Sequence, residues 1–173
     1  RHSGRQLWQR EARYSFRHNN IAAGGGKLFL IDGLSVAKQA MLKRRGIDPA
    51  RFTPRLLALD ARTGREVWST SEDVFGTFLN YSAEHDVLLE AGSAGRDRAR
   101  DESSTGMIAY RGADGHVLWK DLARRHSGPC MLHGETIITQ GPAYALLTGE
   151  PKTRKHPLTG ESVPWMFTRN YGC

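Results

Sequence analysis

One stretch constrains the fold more than any other: ALDARTGREVW, residues 58–68, which returns as AYRGADGHVLW, residues 109–119. The copies align without a gap, Ala58 on Ala109, Gly64 on Gly115 and Trp68 on Trp119. Each reads as a short strand, a tight turn and a second strand ending in tryptophan. A partial copy opens the chain, where Gly4 precedes Trp8 by the same four residues. A degenerate copy is expected at the far end, with Gly160 five residues before Trp165. A motif recurring in phase marks a repeat architecture.

The rest of each repeat supplies two more strands. In the second unit the apolar runs are TFLNY (77–81), DVLLE (86–90), MIAYR (107–111) and HVLWK (116–120), bounded by turn residues. In the third they are SGPCM (127–131), ETIIT (135–139), AYALL (143–147) and VPWMF (163–167). In the first, KLFLI (27–31) follows the triplet Gly24-Gly25-Gly26, and RQLWQ (5–9) reads as the outer strand of a preceding unit. The triplet precedes a strand, so it is a turn and not the phosphate loop of a dinucleotide site. Four antiparallel strands per repeat describe a propeller blade. The expected fold is therefore all-β: a β-propeller of four-stranded antiparallel blades, a partial ring of about three, with one short inserted helix.

The expected boundaries follow from this phasing. Residues 1–9 end one blade, 10–70 form a blade carrying the helical insert 35–46, 71–121 and 122–169 form two more, and 170–173 begin the next segment. The chain of 173 residues has no initiating Met, and both ends fall inside the pattern. It reads as a fragment whose ring, needing four to eight blades, is continued or completed by association. Otherwise its edge strands invite pairing with other chains.

The motif residues have physical reasons. Asp60 can accept backbone amides just beyond it, and Thr63 with Gly64 closes the turn, glycine being free to take φ > 0. Trp68 is large enough to cross to a neighbouring blade, and Ala58 is small enough to receive an indole. Such a ring buries on the order of 200 Å². In the second copy Arg111 replaces the aspartate, and Asp114 is placed to take over the turn contact.

Residues 33–55 interrupt the pattern. Ser35 is a suitable N-cap, VAKQAMLKRR contains tolerable or strong helix formers, and Gly46 is a natural stop. Val36, Ala37, Ala40 and Met41 share one face of this expected helix, while Lys38, Lys43 and Arg44 point elsewhere. A surface insertion explains why Trp8 and Trp68 lie 60 residues apart but Trp68 and Trp119 only 51. A basic helix of this kind also has the charge to dock a membrane or an acidic partner. The polar run at 92–105 has few apolar residues to anchor it.

The net charge of +7 comes from cations scattered along the chain, among them Arg1, Arg5, Arg10, Arg13 and Arg17, the run Lys43-Arg44-Arg45, and Arg96, Arg98 and Arg100. Basic residues are not interleaved with aromatics as in a single-strand binder, so no nucleic-acid partner is expected. No apolar run reaches the ~18–20 residues of a transmembrane segment. Cys130 and Cys173 form no C-x-x-C pair, and Cys130 with His133 is a half-site without a second half.

These motifs carry a resemblance. ALDARTGREVW matches every fixed position of A-x-D-x-x-x-G-x-x-x-W and so resembles the tryptophan-docking repeat of the pyrroloquinoline-quinone-like (quinoprotein-type) β-propellers. The resemblance implies an extracytoplasmic location, periplasmic or envelope-associated, and one of two roles. One is a non-catalytic scaffold binding a protein or small-molecule ligand, with the remaining blades as its neighbours and no cofactor. The other is a fragment of an alcohol or sugar dehydrogenase holding pyrroloquinoline quinone and Ca²⁺ at the axis. The expectation leans to the scaffold, with no catalytic residue and no metal ligand identified. Asn20, Asn80 and Cys130, near the starts of innermost strands, are the axial candidates; amide oxygens there can bind calcium or a ligand. The plain alternative is that the asparagines satisfy backbone at strand ends and that Cys130 is a small buried thiol. His85 and His133 occupy repeated turn positions, where polar residues are expected without any proton-transfer role.

Overall fold

The apolar runs pair as antiparallel strands in chain order. The structure, a computed structural model, describes residues 4–76, 78–92, 105–126 and 129–167, the side chains of residues 17–20 and 36 excepted. Strands β1 (Phe16–Gly24), β2 (Lys27–Asp32), β3 (Arg55–Asp60) and β4 (Glu66–Thr70) form one sheet in the order β1-β2-β3-β4. Strands β5 (Phe78–Ser82), β6 (Val87–Ala91), β7 (Met107–Arg111) and β8 (Val117–Asp121) repeat it. A third sheet holds β9 (Met131–His133), β10 (Thr136–Ile138) and β11 (Tyr144–Ala145), and β12 (Thr153–Lys155) pairs with β13 (Ser162–Pro164). Strand β1 lies against β5, and β5 against β9. First strands therefore converge on one side while β4 and β8 form the far edges. This is the radial arrangement of propeller blades, in a ring that is not closed. Residues 93–104 of the polar connection, and residues 127 and 128 before β9, lie outside the described residues, as do Cys173 and the segment 170–173.

The core lies between sheets. Phe29, Ile31, Leu56 and Ala58 of the first sheet pack on Leu79, Leu88, Ile108 and Tyr110 of the second. The second sheet's other face, Val87, Leu89, Ala91, Met107 and Ala109, packs on Cys130, Ile137, Tyr144 and Leu146. Central strands are thus buried on both faces, which is why LFLI, LLAL and MIAY are continuous apolar runs. Each Leu, Ile, Phe or Met side chain among them, fully buried, contributes about 1.5–3 kcal/mol.

Indoles connect neighbouring turns. Gly64, Gly115 and Gly149 have φ of 70°, 75° and 72°, the left-handed conformation the turn requires. An added Cβ at each would come within 2.7 Å of an indole, of Trp8, Trp68 and Trp119 respectively. The same three indoles donate Nε1–H to carbonyls three residues before those glycines: Ala61 (3.0 Å), Gly112 (2.9 Å) and Leu146 (2.8 Å). The turns are closed as expected. Asp60 Oδ1 accepts from the amides of Arg62 and Thr63 and from the Thr63 hydroxyl. In the second copy Asp114 Oδ1 accepts from the His116 amide, and Oδ2 pairs with Arg111.

The third sheet corrects the sequence reading of the last copy. The turn that receives Trp119 is built on Gly149, not Gly160; around Gly160 nothing lies within 4 Å of an added Cβ. The missing alanine is Ala143, six residues before Gly149 as Ala58 is before Gly64. Pro142 bridges Met166, and Ala143 N–H donates to Trp165 O at 2.8 Å, matching Leu57 opposite Ser69 and Ala58 opposite Trp68. Tyr144 bridges Pro151, the counterpart of Leu59 opposite Glu66. In the first sheet one residue, Val67, bulges between Glu66 and Trp68; here residues 152–164 occupy that place. The outer strand is split at its β-bulge by the β12–β13 hairpin, which brings its own T-G turn. Bulges leave a residue unpaired, so the ladder tolerates an insertion there.

The other insertion joins β2 to β3. Helix α1 spans Val36–Arg44, with Ser35 Oγ accepting from Lys38 N–H at 3.3 Å. Gly46 N–H donates to Lys43 O and Ile47 N–H to Leu42 O, both at 3.0 Å, a Schellman ending around a left-handed Gly46. Leu42 is the buried residue of the helix, Ala40 and Met41 are half-buried and Ala37 is exposed, so the inward face is turned from the one expected. Lys38, Lys43 and Arg44 are exposed, as the sequence implies. A 3-10 turn follows at Pro49–Arg51.

Candidate functional site

The three axial candidates have different environments. Asn20 lies in β1, and its side chain is outside the described residues. Asn80 lies in β5 opposite Leu89, half-buried, and shares that residue's face toward the third sheet. Cys130 is 3% exposed, packed between the second and third sheets, with Sγ 3.8 Å from His126 Nδ1. Burial pushes its thiol up to about 12, so it is a neutral thiol. Of the two histidines, His133 is exposed in β9, and His85 Nε2 is buried without a hydrogen bond, 3.8 Å from the Glu84 carboxylate. No group of three His, Cys, Asp or Glu side chains that could hold a metal ion occurs among the described residues.

Two buried carboxylates are not marked as such in the sequence. Glu90, fully buried in β6, accepts from the amides of Phe75 (2.8 Å) and Gly76, and from Tyr110 Oη–H at 2.8 Å. Burial raises its carboxyl above the ordinary range against the pull of those bonds, and the Tyr110 phenol is raised as well. Asp32, at the end of β2, accepts from the amides of Arg13 (2.6 Å), Tyr14 (2.8 Å) and Ser15 (3.0 Å). Both carboxylates reach from a second strand to fasten the segment entering the first strand of the same sheet. The only sequence signal was an acid closing an apolar run, in KLFLID and VLLEA. Asp86 ties together the turns of its own sheet and faces a lysine of the first. It accepts from Tyr81 Oη–H at 2.6 Å and from Ala113 N–H at 2.9 Å, with Lys27 Nζ 3.9 Å away. Burial and this carboxylate push the Tyr81 phenol up to about 12.

Calcium in a quinone site needs several oxygen ligands converging on one point. Among the described candidates, Cys130 is a neutral thiol inside a sheet interface, and the buried carboxylates Asp32 and Glu90 are taken up by backbone amides.

Neither a family model nor a curated protein matches the chain. Among solved structures it is similar to a europium-containing methanol dehydrogenase, with TM-score 0.50 and 13% identity, over 85% of this chain and 26% of that one. The fold is that of a β-propeller, in a ring that is not closed. This propeller stretch is also similar to BamB from Moraxella catarrhalis, at 18% identity and TM-score 0.45, over 73% of this chain and 32% of that one. A further likeness is to the quinohemoprotein alcohol dehydrogenase ADHIIG from Pseudomonas putida HK5, at 13% identity and TM-score 0.38, over 83% of this chain and 30% of that one. The propeller stretch spans a third or less of each, and likeness at these identities concerns the fold alone.

Of the two insertions that the blade plan does not require, the one between β2 and β3 forms a groove. Between α1 and the 3-10 turn lies a groove of about 410 Å³ lined by Gln39, Lys43, Asp48, Pro49, Phe52 and Pro54, with Ala50 and Thr53 completing it. Phe52 is held edge-on by Tyr14, ring centroids 5.6 Å apart, and Tyr14 is fixed in turn by the hydrogen bond its backbone N–H donates to Asp32 Oδ1.

Proposed function

We propose that this propeller stretch acts as a non-catalytic scaffold that binds a protein or small-molecule ligand, outside the cytoplasm, within a ring completed by further blades. The proposed blades are residues 10–70, 71–121 and 122–169, held in succession by tryptophan docking. The observation that carries the reading is where the chemistry of the chain goes. Asp32, Asp60, Asp86, Glu90 and Asp114 are all engaged by backbone amides, and Trp8, Trp68 and Trp119 are engaged by neighbouring turns. Among the described residues these groups serve architecture, which supports recognition by the surface as the role of this stretch.

The test is quinone retention. The protein is incubated with pyrroloquinoline quinone and Ca²⁺, dialysed, and assayed for cofactor absorbance and dye-linked oxidation of alcohols and sugars. The scaffold reading expects neither. Retention with turnover would replace it with a quinoprotein dehydrogenase.

A further inference from the structure

We propose that the groove between α1 and the 3-10 turn is a docking site for an acidic peptide segment of a partner protein, one that places an apolar side chain among carboxylates. The inference rests on the scaffold reading above and names the partner's chemistry. Charge is the first observation. Five cations against one carboxylate give residues 36–54 four of the chain's seven net positive charges. Lys38, Lys43, Arg44, Arg45 and Arg51 are all exposed, and among the described residues none pairs with a carboxylate. Elsewhere Arg10, Arg55, Arg111, Lys120 and Arg124 are held in ion pairs of 2.7–3.2 Å. The one acid, Asp48, is occupied in capping the 3-10 turn, where it accepts from Ala50 N–H at 3.0 Å.

Shape is the second observation. The floor is rigid and apolar: Pro49 and Pro54 have fixed φ, and Phe52 is pinned by Tyr14. Lys43 and Gln39 line it, Gln39 Nε2 also donating to Leu34 O at 3.2 Å, and Arg51 ends the 3-10 turn whose Pro49 and Ala50 border it. Apolar floors edged by a few placed polar groups are the usual form of a ligand cleft. Cations around such a floor attract carboxylates on an extended chain, and like charges exclude basic competitors. A membrane surface fits less well, because interfacial insertion needs large apolar side chains projecting outward, and among the described side chains of the insertion Ile47 is the one exposed large apolar group. Single-stranded nucleic acid needs exposed aromatic faces for stacking, and Phe52 is half-buried against Tyr14.

Fluorescence anisotropy tests the site with the whole chain. The probe is a short fluorescein-labelled peptide of alternating glutamate and leucine; its control alternates glutamate and serine. Lys43→Glu with Arg51→Glu reverses the groove edge, and Arg62→Glu with Arg65→Glu makes the same charge change on exposed positions of a distant turn. The glutamate–leucine peptide should bind, more weakly as salt rises, with affinity reduced about tenfold or more by the groove variant. The distant variant should leave it nearly unchanged, and the serine peptide should bind more weakly. Should the groove variant misfold by circular dichroism, Lys43→Gln with Arg51→Gln is measured in its place. Equal losses in both double variants, equal binding of the serine peptide, or protein that co-sediments with phosphatidylglycerol vesicles while ignoring the peptide would each overturn the proposal. Quinone retention with turnover would sink the scaffold reading whatever the peptide does. Failure of the peptide with no quinone retained would remove the groove alone.

Discussion

Glu90 occupies a position that is apolar in the first sheet. It sits opposite Ile108 in β6–β7, where the first sheet has Leu30 opposite Leu57. A carboxylate there is tolerated because both oxygens have donors: the Phe75 and Gly76 amides on one and the Tyr110 hydroxyl on the other. Gly76 is required for that approach, since an added Cβ would meet the Glu90 side chain at 2.4 Å. Its raised carboxyl pKa has a thermodynamic consequence whose sign is fixed. A group with folded pKa above its unfolded value contributes stability at low pH and loses it as pH rises through the folded value. Asp73, whose charge also raises Glu90, and Tyr110 are the titratable groups around it. Glu90→Gln keeps the shape and an acceptor for both amides while removing the ionisation. Chemical denaturation should show wild type losing stability relative to Glu90→Gln across the pH window above the ordinary glutamate value of 4.5. A difference that stays constant or reverses over that window would show that the carboxylate ionises without cost.

At the scale of elements, the split outer strand of the third sheet makes the sharpest statement. Removing residues 153–164 would leave A-Y-A-L-L-T-G-E-P-K-W, the spacing of residues 58–68 and 109–119 restored. The ends to be joined are already adjacent, Trp165 N–H donating to Lys152 O at 2.9 Å. The excised chain should keep its circular dichroism spectrum and a thermal midpoint within a few degrees of the parent, about what closing an exposed hairpin's loop costs. Loss of β signal would mean the hairpin supports the sheet instead of decorating it. The same element shows what sequence can and cannot disclose. In the second unit strands expected at 77–81, 86–90 and 116–120 lie one residue later, and 107–111 is unshifted, because turn residues and continuous apolar runs mark them. Gly149 was concealed because its tryptophan stands beyond an inserted hairpin, and a second T-G-E triplet offered Gly160 in its place. Glu90 and Tyr110 lie 20 residues apart and meet only across the β6–β7 pairing. Of the candidate site, the basic insertion was legible from composition and capping; the groove was not, since it depends on Tyr14 reaching Phe52 from another segment.

For the whole molecule, stability is a chain of nearest-neighbour interfaces, as in other repeat architectures. The first and second sheets share the cluster of Phe29, Leu56, Leu88 and Tyr110, with Trp68 packed against it. The second and third share Leu89, Met107, Ile137 and Leu146, with Trp119 against them. The third sheet is short-stranded, and β11 contributes only Tyr144 and Ala145, so the second interface carries fewer ladder bonds to fall back on. The two tryptophans should therefore differ in what they release. Trp68→Ala removes an indole between two full sheets and its bond to Gly112, and should cost about 3–5 kcal/mol of global stability, as large aromatic deletions in cores do. Trp119→Ala should act locally: amide exchange in residues 131–146 should accelerate while β2, β3, β6 and β7 keep their protection. Native-state hydrogen exchange on the two variants separates the cases. If Trp119→Ala lowers protection uniformly across all three sheets, the blades unfold as one unit and the nearest-neighbour account fails. If Trp68→Ala changes stability by less than about 1 kcal/mol, the indole is not the wedge its position between Phe29 and Tyr110 implies.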